Sequence, residues 1–298
     1  MTTTSLQRFS RAAESAASDV IEEYSTSFGL ATRLLGSRHR QHVRNIYAMV
    51  RVADEIVDGV TSQAGLDAAG QRAALESYVL QTHAAMHCGY SSDLVLHAFA
   101  GTARASGIGT ELTGPFFEAM RADLREAGSC SGEVRTLSDA EHQRYVYGSA
   151  EVVGLMCLRV FLRNEHRTPE QLRRLERGAC ALGAAFQNVN FLRDLAEDTQ
   201  HLHRSYLTTE SRLTGARKAA WVATIREQLT EARDSTALLP RDARTAVRTA
   251  LVLFETLNEK IARTTVEELY TRRVRVSDPA KGLLAAREML KTWREGAV

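Results

Sequence analysis

The sequence predicts an all-α protein, a bundle of long helices with little or no sheet, and two observations support this prediction. Helix start and stop signals recur along the chain without the alternation of apolar and polar residues that marks strands. Only four prolines occur among 298 residues, and the residues that favour helices, such as Ala, Leu, Arg and Glu, are abundant. No linker divides the chain, so we expect one domain over residues 1–298.

The helix signals can be followed from the N-terminus. A long helical segment is predicted over residues 6–35, and after a break at "LLGSRH" a second one continues to Gly59. Further helices are predicted over residues 68–86 and 92–105. The loop "SGIGTELTG" then leads to Pro115, a residue that suits the first position of a helix. The segment "EAGSCSGEVRT" is predicted to be a flexible loop.

Capping boxes open the next two helices. The sequence "SDAE", with Ser138 as N-cap, predicts the first, and "TPEQ", with Thr168 as N-cap and Pro169 at the first helical position, predicts the second. The second helix is predicted to extend to about His201. Three more helices are predicted over residues 218–237, 241–270 and 279–293.

Charge and cysteine content give the expected compartment. The formal net charge is +2, which is not the strong basic field typical of nucleic-acid-binding proteins, so no nucleic acid is expected as a partner. The four cysteines match no Cys-x-x-Cys pattern, so free thiols are expected. The start "MTTTSLQRFS" lacks the apolar core of a secretory signal. A cytoplasmic protein is therefore expected, with peripheral membrane association left open.

Two apolar segments bear on membrane contact. The run "VVGLMCLRVFL" is interrupted by Arg159 and is shorter than the about 20 residues that a span needs. The last predicted helix, "KGLLAAREMLKTWRE", places Leu283, Leu290 and Trp293 among basic residues. Such a helix suits packing against a bundle or contact with a membrane surface, and packing is the more common outcome.

The chemical signal lies in two acidic stretches far apart in the chain. In the first, "RVADEIVDG", Asp54 and Asp58 are one helical turn apart. On a helix that turns about 100° per residue, they share one face with Arg44, Tyr47 and Arg51. Because like charges at this spacing repel by about 0.2–0.5 kcal/mol, a positively charged ligand is expected there.

The second stretch, "QNVNFLRDLAED", repeats the arrangement. Asp194 and Asp198 are again four residues apart. The same stripe of the predicted helix carries Gln187 and Asn190, whereas the intervening leucines point elsewhere. The chain therefore has two acidic pairs, each with further polar or charged side chains on the same face.

Binding of Mg²⁺ and substrate phosphates is the chemistry that suits this pattern. Mg²⁺ prefers hard oxygen ligands and is usually held by one or two carboxylates plus phosphate oxygens, and facing helices can project carboxylates towards shared metal ions. Arg44 and Arg51 suit direct contact with diphosphate, and Gln187 and Asn190 suit the orientation of ligands or waters. One such pair alone is usually a solvated helix face; two pairs favour metal and diphosphate binding.

Four stretches then carry a resemblance to a known family. These are "YSTSFGLATRLL", "RNIYAMVRVADEIVDG", "YVYGSAEVVGLM" and "QNVNFLRDLAED". In order and spacing they resemble the squalene and phytoene synthase family of head-to-head prenyl transferases, and within it the bacterial phytoene synthases. The resemblance covers nearly the whole chain. It implies a single all-α domain of the isoprenoid synthase type, with a central cavity between two aspartate-rich helices.

The resemblance also implies roles for individual residues. The implied Mg²⁺ ligands, with Mn²⁺ as a substitute, are Asp54, Asp58, Asn190, Asp194 and Asp198. Positions that hold or surround the diphosphates are Ser25, Ser27, Arg51, Gln187, Asn190 and Arg193. The family's Arg-x-Tyr after the second motif is matched by Arg204 and Tyr206.

Aromatic residues are implied near the reacting carbons. Tyr145 matches a family tyrosine at that place. The rings expected to steady a carbocation through their faces are those of Phe28, Tyr47, Tyr145 and Tyr147.

The implied reaction joins two geranylgeranyl diphosphates. Loss of diphosphate from one molecule gives an allylic cation, and the double bond of the other attacks it to form a cyclopropyl intermediate. A second ionisation, rearrangement and proton loss then give phytoene, and NADPH is not expected. Prenyl diphosphates are the expected ligands, and other carotenoid-pathway enzymes are candidate partners.

Two alternatives remain open at this stage. One is a thirty-carbon relative that acts on farnesyl diphosphate and makes squalene or dehydrosqualene, with NADPH needed only for squalene. The other is a non-catalytic assembly or binding protein that keeps the fold. Intact acidic pairs count against the second alternative, because a scaffold has no reason to keep their repulsion.

Departures from the family pattern are informative as well. Glu151 stands where many members have glycine, beside the expected cavity, so its carboxylate either faces solvent or belongs to the site. Phe254 replaces a frequent tyrosine, so any role of that hydroxyl is absent. One additional residue separates Asp198 from Arg204, and Glu55 stands where Asp is common.

Overall fold

The chain is helical over almost all of the residues that can be described. A computed structural model of the chain describes residues 3–127, 135–196, 204–205, 207 and 212–294. Helices α1 to α7 span Ser5–Tyr24, Thr26–Arg33, Ser37–Asp58, Val60–Gln63, Ala68–Cys88, Leu94–Ser106 and Thr110–Ala127. Helices α8 to α14 span Asp139–Val146, Val152–Leu162, Pro169–Arg193, Gly215–Ser235, Arg241–Arg263, Val266–Leu269 and Asp278–Arg294.

Short elements of other kinds join these helices. A π-helical turn, Tyr147–Glu151, connects α8 to α9, and a 3₁₀ turn, Thr236–Leu238, follows α11. Two strands of two residues each, β1 (Arg135–Thr136) and β2 (Arg204–Ser205), pair in parallel. The prediction of an all-α chain with little or no sheet is therefore confirmed.

Both predicted capping boxes are present. The Glu141 N–H donates to Ser138 Oγ at 3.3 Å, and the Ser138 N–H donates to Glu141 Oε2 at 2.9 Å. The same reciprocal pair joins Thr168 and Gln171 at 3.2 and 3.0 Å. Each box satisfies two N–H groups that the first helical turn leaves unpaired, so α8 and α10 begin where their sequences predict.

Three predicted boundaries are wrong, and tertiary contacts explain two of them. Pro115 lies inside α7, which begins at Thr110, because burial of Leu112 and Phe116 extends the helix upstream. The predicted helix 6–35 is interrupted at Ser25, whose extended backbone (φ −145°, ψ 112°) caps α2. The predicted helix 241–270 is interrupted before Thr265, where a further capping box opens α13.

The helix that begins at Pro169 is also shorter than predicted. It ends at Arg193, and Asp194 is its C-cap (φ −100°, ψ 11°). The predicted end, near His201, lies outside the described residues. Asp194 therefore occupies a helix terminus and not the middle of a continuous stripe, where its carboxylate accepts contacts from two arginines described below.

The chain forms two compact units. Unit 1 comprises residues 1–128 and 156–166, and unit 2 comprises residues 129–155 and 167–298. In unit 1, α1 packs on α3 and α6 through small residues, and Ala13, Ala17 and Ala48 are fully buried. In unit 2, α10 packs on α11 through apolar side chains such as Leu192 and Ile225. The single domain over 1–298 stays a prediction.

The longest apolar helical stretch is longer than its sequence suggests. Because α8, the π-helical turn and α9 are continuous, they form a stretch over Asp139–Leu162 with a mean hydropathy of 1.4. Within the described residues, only this stretch is long and apolar enough to cross a membrane. That is a weak indication, since core helices have the same composition, and Val152 and Met156 are fully buried.

The last helix, α14, packs with one face and exposes the other. Its packed face carries Ala285 and Glu288, which are 5% and 4% exposed, and it contacts α12. On the outer face Leu283 and Leu290 remain 73% and 57% exposed. Packing against the protein is therefore confirmed for one side of this helix, and an apolar stripe among basic residues remains on the other.

The described cysteines agree with the prediction of free thiols. Cys88, Cys157 and Cys180 are all unpaired, and Cys130 lies outside the described residues. Burial raises the pKa of Cys157 to about 12. A thiol of that kind stays protonated and unreactive, so Cys157 contributes as a small apolar side chain.

A buried histidine in unit 1 makes its stability depend on pH. His42 Nδ1 lies 2.9 Å from Thr102 Oγ1, and its Nε2 faces the Arg163 guanidinium. Burial lowers the pKa of His42 to about 4, and the charges of Arg163 and His39 lower it further. The folded protein therefore binds fewer protons than the unfolded chain between the ordinary histidine pKa of about 6.5 and about 4.

We predict a loss of stability across this window. The contribution of neutral His42 is fully present above the unfolded pKa and declines as the pH falls towards the folded pKa. The urea midpoint of the wild type should fall between pH 7 and pH 4 more steeply than that of His42→Gln. The control is His87→Gln, an exposed histidine, whose pH profile should follow the wild type. Equal slopes for all three proteins would contradict this assignment.

Candidate active site

The first acidic stripe is organised by one arginine. On α3, Arg51 Nη1 donates to Asp54 Oδ2 at 2.6 Å, and its Nη2 contacts the Glu55 carboxylate. The guanidinium carbon also lies 4.5 Å from the centre of the Tyr24 ring. Arg51 thus offsets the repulsion within the stripe, and Glu55, which the sequence analysis placed outside the acidic pair, belongs to the same ionic group.

Aromatic and hydroxyl side chains adjoin this stripe. The rings of Phe28 and Tyr47 lie 6.3 Å apart, and Ser25 Oγ accepts a hydrogen bond from the Phe28 N–H at 3.1 Å. Burial raises the pKa of Tyr47, and the charge of Arg51 and a hydrogen bond with Ser25 partly oppose this rise. Three predicted residues, Ser25, Phe28 and Tyr47, are therefore neighbours beside Arg51.

Arg44 points to a different helix. Its Nη1 donates to Ser18 Oγ at 3.3 Å, and its Nη2 lies 3.8 Å from Glu22 Oε1 on α1. The Nε atoms of both Arg44 and Arg51 are buried and have no hydrogen-bond partner among the described residues. Each arginine therefore keeps an N–H donor that the surrounding protein does not use.

The second acidic stripe is organised by two arginines. Asp194 accepts from Arg193 at 2.8 Å (Oδ1) and 2.5 Å (Oδ2), and Arg273 Nε lies 2.7 Å from its Oδ1. Its side chain is 17% exposed. Arg273 follows α13 and was missed by the sequence analysis, because "TRRVRV" offers three similar arginines and no motif that marks one of them.

One turn before Asp194, an amide oxygen is left unpaired. Asn190 Oδ1 is buried and has no hydrogen-bond partner within the described part of the chain. Gln187, on the preceding turn, is partly buried. Buried polar atoms normally have partners, so an unpaired carbonyl oxygen beside a carboxylate fits a cation that takes oxygen ligands.

Aromatic rings line the neighbouring helices of unit 2. Tyr145 is partly buried, and its ring lies 6.0 Å from that of Phe191. Tyr147 is 40% exposed, which suits an apolar carbocation site less well than the environment of Tyr145. Phe254 stacks on Phe186 at 3.7 Å, so the departure from tyrosine gives a ring pair with no hydroxyl.

Glu151 does not simply face solvent. It lies in the π-helical turn, where burial raises the pKa of its carboxyl and a hydrogen bond with Cys180 partly opposes the rise. The π-helical turn packs closely on α10, since a Cβ on Gly183 would lie 2.6 Å from the Ala150 carbonyl oxygen. The open alternative is thus narrowed: the side chain of Glu151 is directed between helices of unit 2.

Several predicted residues cannot be placed. Asp198 and Tyr206 lie outside the described residues, and for Ser27 and Arg204 only the backbone is described. Among the residues with known positions, no group of three or more His, Cys, Asp or Glu side chains is arranged to hold a metal ion. The metal sites implied by the sequence therefore stay predictions.

Comparison with known proteins agrees with the helical fold and the two acidic stripes. The squalene/phytoene synthase family model matches residues 21–279. A 15-cis-phytoene synthase from Pantoea ananas is 31% identical over 188 residues, which cover 61% of this chain and 55% of that protein. A 15-cis-phytoene synthase from Enterobacter agglomerans is 32% identical over 238 residues, which cover 77% of this chain and 71% of that protein.

The solved structures show the same fold. A dehydrosqualene synthase in complex with a ligand superposes with a TM-score of 0.74 at 21% identity, over 97% of this chain and 99% of that one. The fold is therefore the helical fold of the squalene and dehydrosqualene synthases, a class of prenyl transferases. This chain belongs to the squalene/phytoene synthase family. It spans 55% to 71% of the length of the two phytoene synthases it matches.

Proposed function

We propose that this protein is a Mg²⁺-dependent phytoene synthase, which condenses two geranylgeranyl diphosphates through a cyclopropyl diphosphate intermediate. The observation that carries the proposal is the pairing of carboxylates with arginines on both acidic stripes, Arg51 on Asp54 and Arg193 with Arg273 on Asp194. Each stripe thus combines ligands for a hard cation with donors for phosphate oxygens. The similarity to phytoene synthases supports the forty-carbon substrate.

The donor set fits Mg²⁺. Carboxylate oxygens from Asp54, Asp58 and Asp194, together with the unpaired Asn190 Oδ1, are the hard ligands that Mg²⁺ takes, and Mn²⁺ accepts the same set. Asp198 completes the second stripe in this proposal. When bound, the cation stabilises the negative charge of the departing diphosphate.

The arginines have two tasks in this account. In the ion pairs they hold the carboxylate side chains in fixed orientations, which limits the repulsion along each stripe. A guanidinium also forks onto phosphate oxygens, and the unpaired Nε of Arg51 leaves a donor for that contact. Ser25, Ser27, Gln187 and the Arg204–Tyr206 pair are proposed to complete the diphosphate contacts.

Aromatic side chains are proposed to protect the cationic intermediates. Tyr47 and Phe28 beside the first stripe, and Tyr145 in unit 2, present ring faces, which attract cations. Apolar walls that exclude water prevent its addition to such an intermediate. Because burial raises the pKa of Tyr47, its phenol stays protonated during the reaction.

The surroundings of the reaction are part of the proposal. Prenyl diphosphates and the product are hydrophobic, so a cytoplasmic enzyme that docks peripherally on a membrane suits their transfer. The exposed Leu283 and Leu290 among basic residues of α14 suit such docking. Other carotenoid-pathway enzymes are proposed as partners for the hand-over of product.

Product analysis tests the activity. The purified protein is incubated with Mg²⁺ and either geranylgeranyl or farnesyl diphosphate, with and without NADPH, and the hydrocarbon is identified by mass spectrometry. We expect phytoene from geranylgeranyl diphosphate without NADPH. Squalene or dehydrosqualene from farnesyl diphosphate as the sole product would move the protein to the thirty-carbon class, and no product from either substrate would favour a non-catalytic family member.

The acidic stripes are tested by single substitutions. Asp54→Asn and Asp194→Asn each remove one carboxylate charge without changing shape, so we expect turnover to fall by at least about 10²-fold, the range seen when electrostatic stabilisation of a developing charge is lost. The circular dichroism spectrum should not change. Asp19→Asn, on the exposed face of α1, is the matched control and should keep full activity. Unchanged turnover in both stripe variants would rule out the mechanism.

Arg273 is tested in the same assay. Replacement by Gln removes the ion pair with Asp194, and since the Arg273 side chain is 41% exposed, little stability should be lost. We expect at least about a tenfold fall in kcat/KM, the scale of one lost charge-assisted contact. Arg275→Gln, an exposed arginine of the same segment, should behave like the wild type. Equal effects of the two substitutions would show that only the general charge of the segment matters.

A further inference from the structure

A cleft of about 310 Å³ opens inside unit 2, away from the acidic stripe of α10. Its walls come from α8, the π-helical turn, α10 and α11, and include His142, Glu151, Asn188 and Trp221. On an α-helix, Asn188 and Asn190 point about 200° apart at 3.6 residues per turn. The cleft therefore lies on the opposite face of α10 from the side chains proposed to meet diphosphate.

Two buried polar atoms in this cleft lack partners. His142 is 7% exposed and Asn188 is 1% exposed, and neither His142 Nε2 nor Asn188 Oδ1 has a hydrogen bond of normal geometry to any described residue. The Asn188 amide is oriented by its other end, where Nδ2 donates to Gln228 Oε1 at 3.2 Å. An unpaired buried polar atom costs about 1–3 kcal/mol, so both atoms suit a bound molecule.

The walls define the chemistry of that molecule. The His142 ring lies 4.7 Å from the Trp221 ring, and the Trp221 Nε1–H donates to the Leu207 carbonyl at 2.8 Å, which fixes the ring. At the mouth, Arg217 pairs with Asp139 at 3.2 Å. Burial lowers the pKa of His142, partly opposed by Asn188, so the interior is neutral and aromatic and its charged groups lie at the mouth.

We propose that this cleft binds a small uncharged ring compound with an amide or amino group, which donates a hydrogen bond to Asn188 Oδ1 and pairs with His142 Nε2. An acceptor-rich interior excludes phosphates and carboxylates, because Asp139 and Glu151 would repel them. The volume is at the lower end of small-molecule sites, which limits the ligand to one or two rings. This site is independent of the proposed prenyl transfer.

Binding is tested on the full-length protein with two probes, adenine and benzamide, and with benzoate as the charged counterpart of benzamide. Titration calorimetry should give Kd values below about 1 mM for at least one of the two neutral probes and no binding of benzoate. The ring ¹⁵N resonances of His142, assigned with His142→Gln, should shift on addition of the bound probe. Inorganic diphosphate with Mg²⁺ should not displace it.

Paired asparagine variants give the control. Asn188→Leu should weaken probe binding at least tenfold while leaving the melting temperature equal or higher, because it replaces an unpaired polar atom. Asn258→Leu removes another buried asparagine with an unpaired Oδ1 in the same unit, and it should leave binding unchanged. If Asn188→Leu does not fold, the His142 resonances of the wild type decide the question.

Four results would overturn the proposal. They are no binding of either neutral probe, binding of benzoate as tight as that of benzamide, displacement by Mg²⁺ and diphosphate, and binding in Asn188→Leu equal to that of the wild type. Bound probe that leaves the His142 resonances unmoved would place the probe elsewhere and would have the same meaning.

Discussion

The structure around each acidic stripe depends on one electrostatic constraint: carboxylates placed within a helical turn of one another repel, and positive charge must lie among them. In unit 1, Arg51 meets this need by contacting Asp54 and Glu55 at once. In unit 2, Asp194 is contacted by Arg193 from its own helix and by Arg273 from a distant segment. The guanidinium groups that stabilise the fold locally are thus also the groups suited to diphosphate.

The second stripe shows how this constraint shapes the backbone. Helix α10 ends at Arg193, and Asp194 becomes its C-cap, which turns its carboxylate to where two arginines reach it. The N–H of Asp194 still donates to the Asn190 carbonyl at 2.8 Å, so the break is local. A stripe that appears continuous in the sequence is therefore divided between a helix end and the residues after it.

Local signals in the sequence predicted local structure well, and failed where distant contacts decide. The capping boxes at Ser138 and Thr168 place two helix starts correctly because all their partners lie within four residues. Pro115 suggested a helix start, but buried neighbours extend α7 beyond it. Arg273 has no sequence signal at all, since its role depends on a contact with a residue 79 positions earlier. The His142–Asn188 cleft depends in the same way on helices that only the fold brings together.

The most direct test of the central claim is the binding of inorganic diphosphate to the wild type, Arg51→Gln and Asp54→Asn, measured by calorimetry with and without Mg²⁺. If carboxylate and arginine act on one metal-diphosphate unit, the wild type binds diphosphate only when Mg²⁺ is present. Each substitution should then weaken binding at least tenfold, which corresponds to about 1.4 kcal/mol. Diphosphate binding that is independent of Mg²⁺, or unchanged by both substitutions, would contradict the account.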